Sequence, residues 1–288
     1  MARRERRVMK RLVALYRSPT YSPAQHRSND TAILDDTIAG LEQRGWQVTR
    51  TGEGDVAAGR LPAADLYVNM CQGPAASERL LDLVPREALA VNPPESVLNC
   101  HRHRLVARME AAGLPFPRTL IVPTADPQAL IPLVHQLNGD GRPVWVKRGD
   151  VHAETSADVV ATKEAGVTDA IAEFARRGVS RVALQAHIAG PILKFYAVAD
   201  GRFFSWYPAD GPRDRHVEID EDRLRELVFA AARAVGLEVF GGDVAFPKPD
   251  APVLIDLNDW PSFAPVRVAA AAAIAAYIDE KATNGKHA

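Results

Sequence analysis

The sequence predicts an α/β protein, and three observations carry that prediction. Short β-rich apolar runs alternate with segments whose apolar residues recur at helical spacing. Breakers stand between several of these segments, among them Pro19, Pro23, Gly45, Pro93, Pro94 and Gly113. No internal repeat or low-complexity linker breaks the alternation.

The elements follow in order. Arg11–Tyr16 is a short apolar run that ends in a polar loop, Arg17–Asn29, with Pro19 and Pro23 as breakers. In Asp30–Arg44 the residues Ile33, Leu34, Ile38 and Leu41 share one helical face, and Gly45 is placed to end the helix. Trp46–Thr51 and Asp65–Met70 read as strands and Ala75–Leu83 as a helix, which predicts a largely parallel sheet with crossover helices. Asn92-Pro93-Pro94-Glu95-Ser96 marks a seam, because proline fits the interior of neither a strand nor a helix. Ser96 is then the expected cap of one helix, Val97–Ala112, which Gly113 closes.

Beyond Gly113 the pattern gives a strand at Leu120–Pro123, a helix at Pro127–Gln136 and strands at Pro143–Arg148 and Ala157–Thr162. A helix at Ala165–Arg177 and a strand at Arg181–His187 follow. Ile192–Asp200 and Arg202–Tyr207 form a hairpin around Asp200-Gly201, and Glu221–Val235 is helical. Gly241–Pro247 and Pro252–Leu257 make a second antiparallel pair before a final Ala-rich helix.

Composition bounds the function. At roughly 150 residues per domain, the 288 residues suggest about two domains, or one with a large insertion. Hydrophobic residues make up 47% and charged residues 25%, as in ordinary soluble proteins. Lys plus Arg number 35 against 36 Asp plus Glu, a balance that argues against nucleic acid as a partner. Cys71 and Cys100 make neither a disulfide framework nor a C-x-x-C pair, so a reducing, cytoplasmic setting is expected. The basic start is followed only by Leu12–Tyr16, too short for a signal-peptide core, and no stretch approaches a membrane span.

Four landmarks, in order and correctly spaced, carry a resemblance. They are Asn92-Pro-Pro-Glu-Ser with a helix and Gly113-Leu-Pro-Phe-Pro-Arg-Thr; Pro143-Val-Trp-Val-Lys147; Val182-Ala-Leu-Gln-Ala-His-Ile-Ala-Gly190; and Gly242-Asp-Val-Ala-Phe with Leu254-Ile-Asp-Leu-Asn258-Asp-Trp-Pro261. Over nearly its whole length the chain resembles the ATP-grasp superfamily, and most closely its glutathione-synthetase-like and ribosomal-protein-glutamate-ligase-like members. The resemblance implies an ATP-grasp fold, an α+β clamp behind an N-terminal pre-ATP-grasp α/β lobe. Its implied domains are residues 1–94, a central lobe 95–183 and a C-terminal lobe 184–288 with the metal site. It also implies ATP and Mg²⁺ (Mn²⁺ as an alternative), small-molecule carboxylate and amine substrates, and a homodimer.

Residue chemistry fits that resemblance. Transfer of a γ-phosphoryl group needs its negative charges neutralised and aligned. Mg²⁺ takes oxygen ligands and keeps several waters, so it needs few protein donors. Strand alternation puts Asp256 and Asn258 on one face, with Ile255 and Leu257 on the buried one, and Asp243 in the neighbouring strand could join them. The family usually carries glutamate at the position of Asp256. The resemblance assigns Lys147 to the α- and β-phosphates, Arg102 to the place of a first ATP-contacting lysine, and Gln185, Ala186, His187 and Ile188 to the adenine hinge. Lys194 is assigned to the phosphates, and Arg267 to the substrate carboxylate or acyl-phosphate. Plain alternatives stand beside these: Lys147 as a snorkelling surface residue, Lys194 as an exposed hairpin charge, Arg267 as helix-surface charge.

The sequence departs from its relatives in the loop Arg148–Thr155, which has one glycine where they usually have several. Either the loop is stiffer here, or side chains such as Arg148 and His152 replace backbone contacts. His101 and His103, two apart on the expected helix, make no metal pair. Asp35 and Asp36 read as a solvated face. Neither a P-loop nor a G-x-G-x-x-G fingerprint is present. The activity implied is ATP-dependent ligation of a carboxylate to an amine or thiol through an acyl-phosphate. The competing readings are a kinase of the same fold acting on a small-molecule hydroxyl, and a non-catalytic ATP-binding protein.

Overall fold

The computed structural model describes residues 10–22, 27–126, 131–137, 141–151 and 155–284. The first sheet comprises β1 (Lys10–Tyr16), β2 (Trp46–Gly52), β3 (Leu66–Asn69) and β4 (Leu89–Val91), all parallel in the order β2-β1-β3-β4. Its connections carry α1 (Arg27–Gln43), α2 (Glu53–Ala57) and α3 (Pro74–Leu83). Two short helices, α4 (Pro94–Cys100) and α5 (Arg102–Ala111), lead to a second sheet. There β5 (Thr119–Pro123), β6 (Val144–Arg148), β7 (Val159–Thr162) and β8 (Arg181–Ala186) pair antiparallel in the order β5-β8-β6-β7. This sheet carries α6 (Ile131–Leu137) and α7 (Val167–Arg176). The third sheet, β9 (Ile192–Val198), β10 (Phe203–Pro208), β11 (Val239–Ala245) and β12 (Val253–Asp259), is antiparallel in the order β10-β9-β11-β12. With it come α8 (Glu221–Val235) and α9 (Arg267–Asn284).

The α/β class and most elements match the sequence reading, and the differences have physical causes. The parallel expectation holds for the first sheet alone. The helix expected over 97–112 is two helices, because His101 takes an extended conformation (φ −60°, ψ 130°) between them. Ser96 caps neither; its hydroxyl donates to Pro93 O at 2.7 Å, inside a helix that starts at Pro94. Proline at the first helical position gives up an N–H that would have no partner anyway. The five-residue α2 and three-residue β4 are too short to display a period. The strand expected from Ala157 starts at Val159, behind a 3₁₀ turn closed by Thr155 and Asp158. Helix α6 is seen from Ile131, and the rest of its expected start, 127–130, lies outside the described residues. Strand β8 runs across the expected 183/184 division.

Packing joins the ends of the sequence. The buried Ile33, Leu34, Ile38 and Leu41 of α1 form one core with Ala270, Ile274, Ala275 and Ile278 of α9. Each leucine or isoleucine among them contributes about 1.5–3 kcal/mol by leaving water. Asn92 then locks the first sheet to the third. Its amide donates to Val239 O at 2.8 Å, while its Oδ1 accepts from the backbone N–H of Glu238 and Val239, both at 2.8 Å. That gives the Asn-Pro landmark a structural reason.

Candidate active site

Between the second and third sheets lies a cavity of about 250 Å³. Its walls include Trp145 and Lys147 of β6, Gln185 and Ala186 of β8, and His187 and Ile188 just beyond. Lys194 of β9, Asp243 of β11 and Ile255 and Asp256 of β12 complete them. Lys147 is only 6% exposed, and its Nζ donates to Ile255 O at 3.3 Å. Burial lowers its pKa to about 8, against the pull of the Asp256 carboxylate. Lys194 is only partly buried, and Asp243, 2.9 Å from its Nζ, outweighs the desolvation, so its pKa rises.

The carboxylates meet across a pair of strands. Asp243 and Asp256 are direct Cα partners of β11 and β12, but the next pair is Val244 with Leu254, so Ile255 is an extra, bulged residue. The bulge corrects the expected alternation. Ile255 lies on the cavity wall and turns its carbonyl to Lys147, whereas Leu257 is buried as expected. Gly242 makes the close strand approach possible: a Cβ there would stand 2.2 Å from Asp256 O. Asn258 pairs with Gly241 and lines a different, adjoining cavity, so the three expected oxygen donors are not all on one wall. Among the described residues no group of three His, Cys, Asp or Glu side chains could hold a metal ion.

At the hinge, Trp145 Nε1–H donates to His187 Nδ1 at 3.2 Å with the rings nearly parallel, 6.3 Å apart. That bond leaves the neutral imidazole's proton on Nε2. The side-chain amide of Gln185 donates to Thr119 Oγ1 at 3.2 Å.

Arg102 is buried, but it lines the second cavity and not the first. One Nη donates to Asp256 Oδ2 at 3.1 Å; the other reaches the carbonyls of Arg148 at 3.0 Å and Val151 at 3.4 Å. His103 adds a backbone N–H and its Nδ1 to Gly149 O at 3.1 and 3.2 Å. The start of α5 thus fastens the glycine-poor loop, and Arg148 folds onto Asp150 at 2.7 Å. His152 lies outside the described residues.

The second cavity measures about 380 Å³ and shares Lys194 and Asp256 with the first. Arg17, at the end of β1, lines it along with Asp30, Gln72, Tyr196, Tyr207, Asn258 and Asp259. The Arg17 side chain is 7% exposed. It donates to Asp30 Oδ2 at 3.2 Å, Trp260 O at 3.0 Å and Asp259 O at 3.4 Å. The sequence marks Arg17 only as the start of a polar loop, and it does not single out Asp30, Gln72, Tyr196 or Tyr207. The available signal was position alone: Asp30 lies in the first turn of α1, Gln72 just beyond β3, and Tyr196 and Tyr207 beside Lys194 in β9 and β10.

Arg267 does not join them. It begins α9 and points to α1, donating to Asp36 Oδ2 at 3.1 Å and Asn29 Oδ1 at 3.3 Å. Asp35 and Asp36 are both exposed, as the solvated-face reading expects; Asp36 also serves as an interhelical partner, and Asp35 accepts from Tyr16 Oη at 2.5 Å. The charge of Arg267 serves helix pairing and is absent from both cavity walls.

No protein family and no curated protein matches the sequence. Solved structures match along nearly the whole chain. D-alanyl-alanine synthetase A from Vibrio cholerae is 13% identical with a TM-score of 0.70, covering 97% of this chain and 99% of that one. A RimK domain ATP-grasp protein from Sphaerobacter thermophilus is 17% identical (TM-score 0.67; 93% and 99% covered). D-alanine–D-alanine ligase from Bacillus anthracis in complex with ATP is 12% identical (TM-score 0.67; 96% and 99% covered). The chain therefore has the ATP-grasp fold. Among the described residues no helix is long and apolar enough to cross a membrane.

Proposed function

We propose that the protein is an ATP-dependent ligase that activates a carboxylate as an acyl-phosphate and joins it to an amine, releasing ADP and phosphate. The observation that carries this reading is the pair of adjoining cavities that share Lys194 and Asp256 as a common wall. The first holds ATP: the adenine lies at the hinge of Gln185 to Ile188, and Lys147 faces the phosphates. The second holds the substrates between Arg17, Arg102 and the two tyrosines. A phosphoryl group leaving ATP crosses at the shared wall, where Lys194 neutralises it and Arg102 borders the receiving side. Activation is required because a carboxylate is a poor electrophile. The burial of Lys147 and Arg102 makes their fields stronger than they would be in water.

Mg²⁺ fits the residues present. Asp243 Oδ1 holds Lys194, and its second oxygen has no hydrogen bond among the described residues; Asp256 stands beside it as a strand partner. Two carboxylates with the Asn258 amide are the hard oxygen donors that Mg²⁺ or Mn²⁺ takes. The metal would supply charge neutralisation to the nucleotide phosphates. The two buried, unpaired cysteines suit a reducing cytoplasm, and a homodimer is the assembly that the resemblance implies.

The deciding experiment is mass spectrometry of a pooled-metabolite reaction with ATP and Mg²⁺, run beside a Lys147→Met control. A product equal to two pool members less one water, with ADP, is the expected result. A product equal to one member plus a phosphoryl group overturns ligation in favour of a kinase. ATP affinity should also depend on pH. Lys147 must be protonated to pair with phosphate, and its pKa in the free protein is about 8. Affinity is therefore flat below that value and falls by up to tenfold per unit above it. Titration calorimetry from pH 7 to 9.5 checks this, and an unchanged Kd at pH 9.5 would count against the assignment.

A further inference from the structure

We infer that Arg102 stands in for the metal ion in the resting protein, so that the two carboxylates of the site accept a divalent cation only once nucleotide draws the cations away. The inference rests on the reading of Asp243 and Asp256 as the metal-binding pair.

Charge pairing at the site motivates it. Asp256 is held by Arg102 at 3.1 Å and Asp243 by Lys194 at 2.9 Å. Each carboxylate thus already has a cation, and the buried Lys147 adds a third positive charge next to Asp256. A dication arriving alone would meet three positive charges and two negative ones, so the site as built repels it. ATP reverses that balance, because its phosphates offer Lys147, Lys194 and Arg102 a partner richer in negative charge.

Arg102 has the geometry of an exchangeable partner. Its guanidinium is held in place by the carbonyls of Arg148 and Val151, independently of Asp256. The Nη that faces Asp256 carries no other bond among the described residues, and Nε is buried without a hydrogen-bond partner. Releasing Asp256 therefore costs Arg102 one contact and leaves it in position. The freed Nη–H then borders the second cavity, where a substrate carboxylate or the transferred phosphoryl group offers a new acceptor. This is the task that sequence reasoning had given to Arg267. The same contacts tie the loop 148–151 to the carboxylate pair, so filling the metal site and adjusting the loop become one event.

The test uses Mn²⁺ alone, measured by the paramagnetic resonance signal of the free ion, against the unmodified protein, Arg102→Met and Arg102→Lys. Without nucleotide, Arg102→Met should bind Mn²⁺ about tenfold more tightly than the unmodified protein, since one repelling charge is gone. Arg102→Lys keeps the charge and should stay near the unmodified value. Equal or weaker Mn²⁺ binding by Arg102→Met overturns the inference. Should that variant fail to fold, the unmodified protein still decides. Mn²⁺ affinity there should rise at least about tenfold when a non-hydrolysable ATP analogue is added, as screening by phosphate requires. The same affinity with and without the analogue overturns the inference. Failure of the ligase reading looks different: the pooled reaction would yield a phosphorylated product or none, whereas the comparison of variants with Mn²⁺ alone would still stand.

Discussion

Lys147→Met should weaken ATP binding about a hundredfold while raising the melting temperature at pH 7. A buried, charge-assisted contact to phosphate is worth about 1.5–3 kcal/mol, which is the source of the lost affinity. The gain in stability follows from the sign of the pKa shift. The folded-state pKa of Lys147 is about 8, below the ordinary 10.5, so folding disfavours the charged amine. That penalty is fully present below about pH 8 and disappears as pH rises toward 10.5. Methionine has nearly the same volume and no charge, so the variant escapes the penalty across the neutral range. The difference in melting temperature between the two proteins should then shrink as the pH is raised above 8. Thermal unfolding at pH 7 and pH 10, with calorimetric ATP titration, reads all three effects. A variant that keeps its ATP affinity, or melts lower at pH 7, would show that Lys147 is a structural residue.

Arg17→Met should have the largest cost in stability, about 3–5 kcal/mol, because removing one partner of a buried ion pair leaves uncompensated charge behind. Both partners in question are buried: the side chains of Arg17 and Asp30 are each 7% exposed, and that of Asp259 is fully enclosed. Ser22 and Gln72 would still donate to these carboxylates at 2.8 and 3.1 Å, but neither brings a charge. The same substitution cuts the guanidinium bonds that run from β1 to Trp260 O and Asp259 O, so the first and third sheets lose a tie. Urea unfolding measures the cost. A loss under about 1 kcal/mol, the range of a surface pair, would mean that the site relaxes or hydrates when the arginine is gone.

The comparison of sequence with structure divides along chain distance. The periodic helices and the Asp200-Gly201 turn were legible because their determinants are local. Both turn residues do take positive φ, 58° and 68°. Lys147, Lys194, Asp243 and Asp256 were legible as candidates because a recurring order of motifs singles them out, and the structure brings them to one cavity. The break at His101 was not legible, since no proline or glycine stands between Val97 and Ala112 to mark it and His101 nevertheless takes an extended conformation. The bulge at Ile255 was equally hidden, because an alternating pattern does not reveal that the partner strand skips a residue. Arg17 and Arg267 show the limit most clearly. Both are arginines beside polar loops, and what separates them is a partner far along the chain: Trp260 for one and Asp36 for the other.

The packing of α9 against α1 has a consequence for synthesis. Lys10 and Trp46 both bond to Asp279, contacts that span 269 and 233 positions of sequence. On the ribosome, the first sheet leaves the exit tunnel long before the helix that covers it exists. Until then the apolar side of α1 and β1 faces solvent or a chaperone. The lobe that carries the first sheet is therefore finished only after α9 has emerged. Such closure of distant segments also slows refolding, because the entropy of a long loop must be lost before its contacts are gained.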